Sequence, residues 1–167
     1  MSLAPLYGIC VLLNKSGERK GVIIFKEIEN TKNLLILGQV KGLKKNGLHG
    51  IHIHKYGDIT RGCASMGGHF NPTNKNHGSF TSKERHLGDL GNLEADQTGS
   101  AKILFEDNRL SLRGSNSILG RSVVVHEDED DLGKGKHADS KTTGHSGARM
   151  LCGIIGLTSL ENIMEME

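Results

Sequence analysis

An all-β domain, built as a sandwich or flattened barrel, is the fold class that this 167-residue sequence predicts. Its apolar runs are short and rich in Leu or β-branched residues. Clusters of Gly, Asn, Asp or Lys bound them, and no segment keeps a helical period over three turns. Taken in order, Tyr7 to Leu13 is the first such run and Gly21 to Lys26, with Val22, Ile23, Ile24 and Phe25, the second. Leu34 to Val40 follows, then the shorter Ile51 to His54. Ala101 to Glu106 and Ser122 to His126, the latter carrying three consecutive valines, read the same way, and Leu151 to Leu157 adds a closing apolar strand.

Length suits one domain with a real core, placed at residues 1–159, and the acidic end, residues 160–167, reads as a fraying, disordered tail. A net charge of +2, from 21 basic and 19 acidic residues, is too balanced for a nucleic-acid footprint. No stretch is long enough for a membrane span, and Met1 to Leu6 lacks the basic and apolar regions of a secretory signal, so the expected location is the cytoplasm. Three cysteines, Cys10, Cys63 and Cys152, leave one over after any single pairing, and none sits in a close pair of the zinc-ribbon kind.

Two long stretches break the strand rhythm, residues 55–88 and 127–148. Segments of that length inside a compact domain are usually functional or disordered. The first holds three histidines, His69, His77 and His86, which favours function; the second is Gly-rich, of mixed charge, and opens on the acidic run Glu127 to Asp131.

Nine histidines are the loudest feature of the composition. His52 and His54 flank Ile53 in an expected strand, so both imidazoles project from one face and can converge on one ion. His-X-His is a weak motif alone. Its context is His69, His77, His86 and Asp89, three imidazoles and a carboxylate that satisfy a closed tetrahedral zinc site. His126, at the end of the valine run, could complete the first cluster. Imidazole suits copper and zinc, whereas magnesium and calcium want oxygen donors. A set of His52, His54, His69 and His126 has no thiolate, so it should accept copper in both oxidation states, and redox chemistry becomes accessible.

Longer stretches carry a resemblance. They are Gly50-Ile51-His52-Ile53-His54-Lys55-Tyr56-Gly57-Asp58, Gly68-His69-Phe70-Asn71-Pro72, Glu84 to Asn92, Val124-Val125-His126-Glu127 with Asp130 to Gly135, and Gly144, Gly147, Arg149, Cys152, Gly153, Ile155 and Gly156 near the end. With these, the chain from about Tyr7 to Leu157 resembles the Cu,Zn superoxide dismutases. The resemblance implies an eight-stranded Greek-key barrel and an enzyme that converts superoxide to dioxygen and hydrogen peroxide. It implies copper on His52, His54, His69 and His126, zinc on His69, His77, His86 and Asp89, and His69 as the bridge. Arg149 matches the anion guide beside copper, and His69 would help deliver a proton. Asp130 matches the carboxylate linking a copper histidine to a zinc histidine. Cys63 and Cys152 match an intrasubunit disulfide, with Cys10 a reduced core residue. His49 matches a histidine that binds no metal, and His137 and His145 read as solvent-exposed, without partners.

The chain departs from commoner patterns at Gly68, at Gly78-Ser79-Phe80 and at Ala138 to Thr143, changes that touch loop rigidity and leave every ligand in place. The resemblance further implies a homodimer through an apolar patch around Tyr56-Gly57-Asp58, Ile118-Leu119-Gly120 and the closing strand, although Ile118, Leu119 and Ile155 suit a core equally well. A copper-loading chaperone is a further expected partner. The rival readings are a copper-chaperone-like relative, against which the chain lacks a Cys-pair module, and a catalytically idle metal-binding domain.

Overall fold

Strand β1 (Tyr7–Leu13) alternates inward Gly8, Cys10 and Leu12 with outward residues, and the same two-residue period lays out most of the barrel wall. A computed structural model describes residues 3–166; Met1, Ser2 and Glu167, which enter the sequence reading of the two termini, lie outside them. The further strands are β2 (Arg19–Glu27), β3 (Leu34–Val40), β4 (Leu48–His54), β5 (Thr60–Cys63), β6 (Asp89–Glu94), β7 (Ala101–Asp107), β8 (Ser122–His126) and β9 (Arg149–Thr158). Eight of them, without β5, form one antiparallel sheet in the order β6-β4-β8-β9-β1-β2-β3-β7, curled into a nearly closed barrel. The all-β flattened barrel expected from the sequence is thus the fold. Its interior is filled by Leu12, Ile23, Phe25, Ile36, Ile51, Ile53, Val123, Val125 and Ile155 among others.

Strands β4 and β8 depart from simple alternation because both of their faces are covered. In β4 every residue from His49 to His54 is buried, and in β8 all five are. Ile51, Ile53, Val123 and Val125 enter the barrel core, whereas Val124 packs outside it with Met66 and Cys152. The outer face of this part of the wall is therefore a second buried layer, roofed by the long segments 55–88 and 127–148. That layer is where His52, His54 and His126 point.

Two strands were not expected. β5 is a four-residue piece within the first long segment. β6, Asp-Leu-Gly-Asn-Leu-Glu, is an edge strand on β4 with poor β-formers and a register shift opposite Gly50 and His52. Its Asp89 and Asn92 serve the polar layer outside the barrel, so its sequence never displays an apolar stripe.

Cys63 and Cys152 are joined in a disulfide across 89 residues, as the resemblance implied, and tie segment 55–88 to β9. Cys10 is free and wholly buried; burial pushes its thiol up to about 12, so it stays protonated and inert. Within the stretch expected to fray, Leu160–Met164 forms a short helix, α1, capped by Ser159 and burying none of its residues.

Of the apolar patch expected at a dimer contact, Tyr56 and the closing strand's Ile154 and Leu157 are exposed, but Ile118, Leu119 and Ile155 are not available. Ile118 and Ile155 are fully buried in the core and Leu119 packs against it. Inward parity in β9 takes Ile155 into the barrel and leaves Ile154 outside. Four exposed apolar side chains, Val11, Leu13, Ile59 and Ile154 of the closing strand, line a groove of 1130 Å³ between β1, β9 and the segment near β5.

Candidate metal centre

Pairing of β4 with β8 sets His52 opposite Val124 and His54 opposite Ser122, while His126 closes β8 after a register shift and faces Arg149 of β9. His69 is brought to the same layer by a single bridge to His54, flanked by backbone bonds that run from Phe70 N to Ile53 O and from Lys55 N to Gly68 O. His52, His54, His69 and His126 each present a ligand atom within 4.8 Å of the others.

Hydrogen bonds decide which nitrogen each ring offers. His54 Nδ1 donates to Gly67 O at 2.8 Å and His126 Nδ1 to Gly147 O at 3.0 Å, which leaves the two Nε2 lone pairs facing each other at 3.4 Å. His52 Nε2 lies 2.7 Å from Asp130 Oδ2, leaving Nδ1. His52 Nδ1 and His69 Nε2 are buried with no hydrogen-bond partner among the described residues. Buried polar atoms without partners are rare in proteins, so two orphaned nitrogens beside two lone pairs that face each other are the signature of an ion site.

The second set shares His69. Its Nδ1 lies 3.0 Å from Asp89 Oδ1 and 3.1 Å from His86 Nδ1; His77 Nδ1 and His86 Nδ1 lie 2.9 and 3.2 Å from the same Asp89 oxygen. Four ligands about 2.0–2.1 Å from a tetrahedral ion stand roughly 3.3 Å apart, so these separations fit zinc. His77 Nδ1, despite its short distance, has no aligned hydrogen bond among the described residues. Asp89 Oδ2 accepts from His86 N at 2.8 Å and Gly78 N at 3.1 Å, which turns Oδ1 toward the imidazoles. His52 also comes within 4.8 Å of His69, His77 and Asp89, but its ring is stacked on His69 and its Nε2 is taken by Asp130, so His86 is the better fourth member.

Asp130 spans the two sets, with Oδ2 at His52 Nε2 and Oδ1 at His77 Nε2, both 2.7 Å. Asn92 of β6 holds it in turn, accepting from Asp130 N at 2.7 Å and donating to Asp130 O at 2.9 Å. Asn92 was missed as a positioning residue; an Asn three residues after a ligand candidate was the available signal. Gly144, at φ +69, must lack a side chain because a Cβ there would strike Asp130 Oδ1 and His77 Nε2.

Electrostatics favour ligation. Burial, with His69 adding to it, pushes His52 and His54 well below the usual histidine range; burial also lowers His126, to about 4. These imidazoles are neutral at pH 7, the form a metal ligand must take. Burial opposes charge on Asp89 as well, yet the His69, His77 and His86 rings crowded against it outweigh burial and hold the carboxyl well below its ordinary value. His77 is raised to about 9, because Asp130 and Asp89 overcome burial, so protons compete with a metal at this ring.

Arg149 is half-buried beside His126. Its Nη1 donates to Cys63 O at 2.7 Å and its Nη2 to Gly67 O at 2.6 Å, the carbonyl that also orients His54. Of the remaining histidines, His49 is buried between His126 O and Lys44 N. His137 and His145 are exposed as expected but not without partners. Their rings stack at 3.6 Å, and His145 Nδ1 bonds Asp139 Oδ1 at 2.7 Å, because residues 139–143 form a tight turn that returns one ring over the other.

Residues 19–155 match the family model described as copper/zinc superoxide dismutase. A curated protein of Dictyostelium discoideum, "Superoxide dismutase [Cu-Zn] 5", is 49% identical over 152 residues, which cover 91% of this chain and 98% of the relative.

Proposed function

This chain belongs to the copper/zinc superoxide dismutase family, and from that premise we propose that it converts superoxide to dioxygen and hydrogen peroxide. The observation that carries the reading is the pair of imidazole sets sharing His69. His52, His54, His69 and His126 would hold copper, and His69, His77, His86 and Asp89 zinc. Bound copper supplies the one-electron chemistry, taking an electron from one superoxide and returning it to a second. The protein does the rest. Asp130 fixes the His52 and His77 rings through their outer nitrogens, as partners behind metal ligands do. His69 would take a proton from water at Nε2 when that nitrogen is not holding copper, and pass it to the nascent peroxide. Arg149, its guanidinium held rigid by two carbonyls, binds the anion beside copper and raises its encounter rate.

Purified protein should contain one copper and one zinc per chain and consume superoxide in a copper-dependent manner, lost on chelation and regained on adding copper. Zinc alone with no gain on copper would turn the reading to the chaperone-like or idle domain. Arg149→Ala should slow superoxide consumption about tenfold at low ionic strength and flatten its salt dependence. A stopped-flow rate equal to that of the unaltered protein at low salt would remove Arg149 from steering.

A homodimer through Val11, Leu13, Ile59 and Ile154 is part of the proposal, supported by four large apolar side chains that line one exposed groove. Ile154→Lys, at a position 39% exposed, should then convert a dimer to a monomer in sedimentation without unfolding it. A monomeric mass for the unaltered protein at micromolar concentration would overturn the dimer. Among the described residues no helix is long and apolar enough to cross a membrane. A cytoplasmic location and a copper-loading chaperone complete the reading.

A further inference from the structure

Segment 55–88 meets the β7–β8 connection in a cleft of 520 Å³ lined by Thr73, Lys75, Lys83, Arg85, Leu87, Arg109 and Asn116. It contains none of the metal-centre histidines and not Arg149, so it is separate from the copper approach. We infer that this cleft binds a small, multiply charged phosphate anion.

The charge is one-sided. Lys75, Lys83 and Arg109 are exposed, and none of the three forms an ion pair among the described residues. No carboxylate lines the cleft. Two acids adjoin the lining residues in sequence, Asp107 and Glu84. Asp107 pairs with buried Arg85 at 2.7 Å and accepts from the backbone of Arg109 and Leu110. Glu84 accepts from Asn76 N at 2.9 Å. Arg85 is thereby neutralised, which leaves Lys75, Lys83 and Arg109 as three cations on the cleft wall, with the carboxylate of Glu84 outside the lining as the one opposing charge beside them.

Two of those cations are also held in place. Lys75 Nζ donates to Lys83 O and Arg109 Nη1 to Ser82 O, each at 2.9 Å. Each contact uses one hydrogen and leaves two on the ammonium and four on the guanidinium. Side chains already ordered lose little freedom when a ligand arrives, and like charges gathered in one cleft repel until an anion enters. Phosphate oxygens fit this donor set, since an Arg fork pairs two of them while lysines act as point charges; Thr73 and Asn116 add neutral donors.

The test is a titration of pyrophosphate into the zinc, copper(I) form of the protein, followed by calorimetry and amide NMR. Saturable binding at one site per chain is expected, with shifts at Thr73, Lys75, Lys83, Arg109 and Asn116. Lys83 makes no side-chain hydrogen bond among the described residues, so Lys83→Gln removes charge while leaving the loop intact. That change should weaken binding by about threefold, and Lys83→Gln with Arg109→Gln by about tenfold, with superoxide consumption unchanged. Absence of saturable binding, shifts centred on Ala148 and Arg149 instead, or an undiminished affinity in the double variant would each overturn the assignment. None of these outcomes bears on the copper and zinc reading, which is tested by metal content and turnover.

Discussion

Replacing His126 with Ala should lower copper-dependent superoxide consumption by about a hundredfold or more while the barrel stays folded, since removing a ligand costs at least what removing its outer partner does. His126 is 4% exposed and ends β8, but the packing of that strand is carried by Val123, Val124 and Val125. Its Nδ1 is spent on Gly147 O and only Nε2 faces the cluster, 3.4 Å from His54 Nε2. Truncation therefore leaves three nitrogens where copper(II) prefers four, and it leaves His77, His86 and Asp89 untouched. The expected pattern is normal zinc content, an unchanged circular dichroism spectrum, depleted or loosely held copper, and little turnover. A variant with one tightly held copper and full turnover would refute the assignment of His126 to the copper set.

The second large effect concerns stability. Cys63→Ser opens a loop closed across 89 residues, and in the chain-entropy account the lost constraint on the unfolded state is worth about 4–5 kcal/mol. For a chain of this size that corresponds to a fall in melting temperature of roughly 10 °C or more. Activity should fall with it for a separate reason, because Cys63 O anchors Arg149 Nη1. Cys10→Ser is the contrasting control. That thiol is buried and unpaired, so its replacement should cost stability through burial of a hydroxyl while leaving the 63–152 closure and the Arg149 contact alone. Calorimetry of the two variants separates the effects; a Cys63→Ser protein melting with the unaltered chain would mean the disulfide does not constrain the unfolded state.

Strands whose two faces differ in the ordinary way, one on the core and one outside, could be read from the chain. Tyr7 to Leu13 and Leu34 to Val40 alternate enough to be placed to the residue, and the two long segments emerge as the intervals 55–88 and 127–148 between them and the later strands. Elements that serve the polar layer could not be read in that way. β6 begins at a metal-ligand candidate, Asp89, and sends Asn92 to Asp130, so its apolar period is broken by the residues that give it a purpose. The partnership of His137 with His145 escaped for another reason. Stacking across a seven-residue turn depends on where the backbone returns, and spacing alone does not state it. Ile118 and Ile155 show the same limit from the apolar side, since hydrophobicity marks a residue for burial without saying whether a core or a second chain buries it.

By itself, then, the order of residues determined the fold class, which imidazoles and carboxylate stand as candidates for metal ligation, and the three cysteines available for one pairing. It could do so because side-chain period and ligand type are local properties of the chain. Tertiary structure alone decided which nitrogen each imidazole presents, that Asp130 reaches His52 and His77 at once, and that Gly67 O serves both His54 and Arg149. Those choices rest on hydrogen bonds between residues as many as 82 positions apart, and only packing one long segment over β4 and β8 brings their atoms within reach.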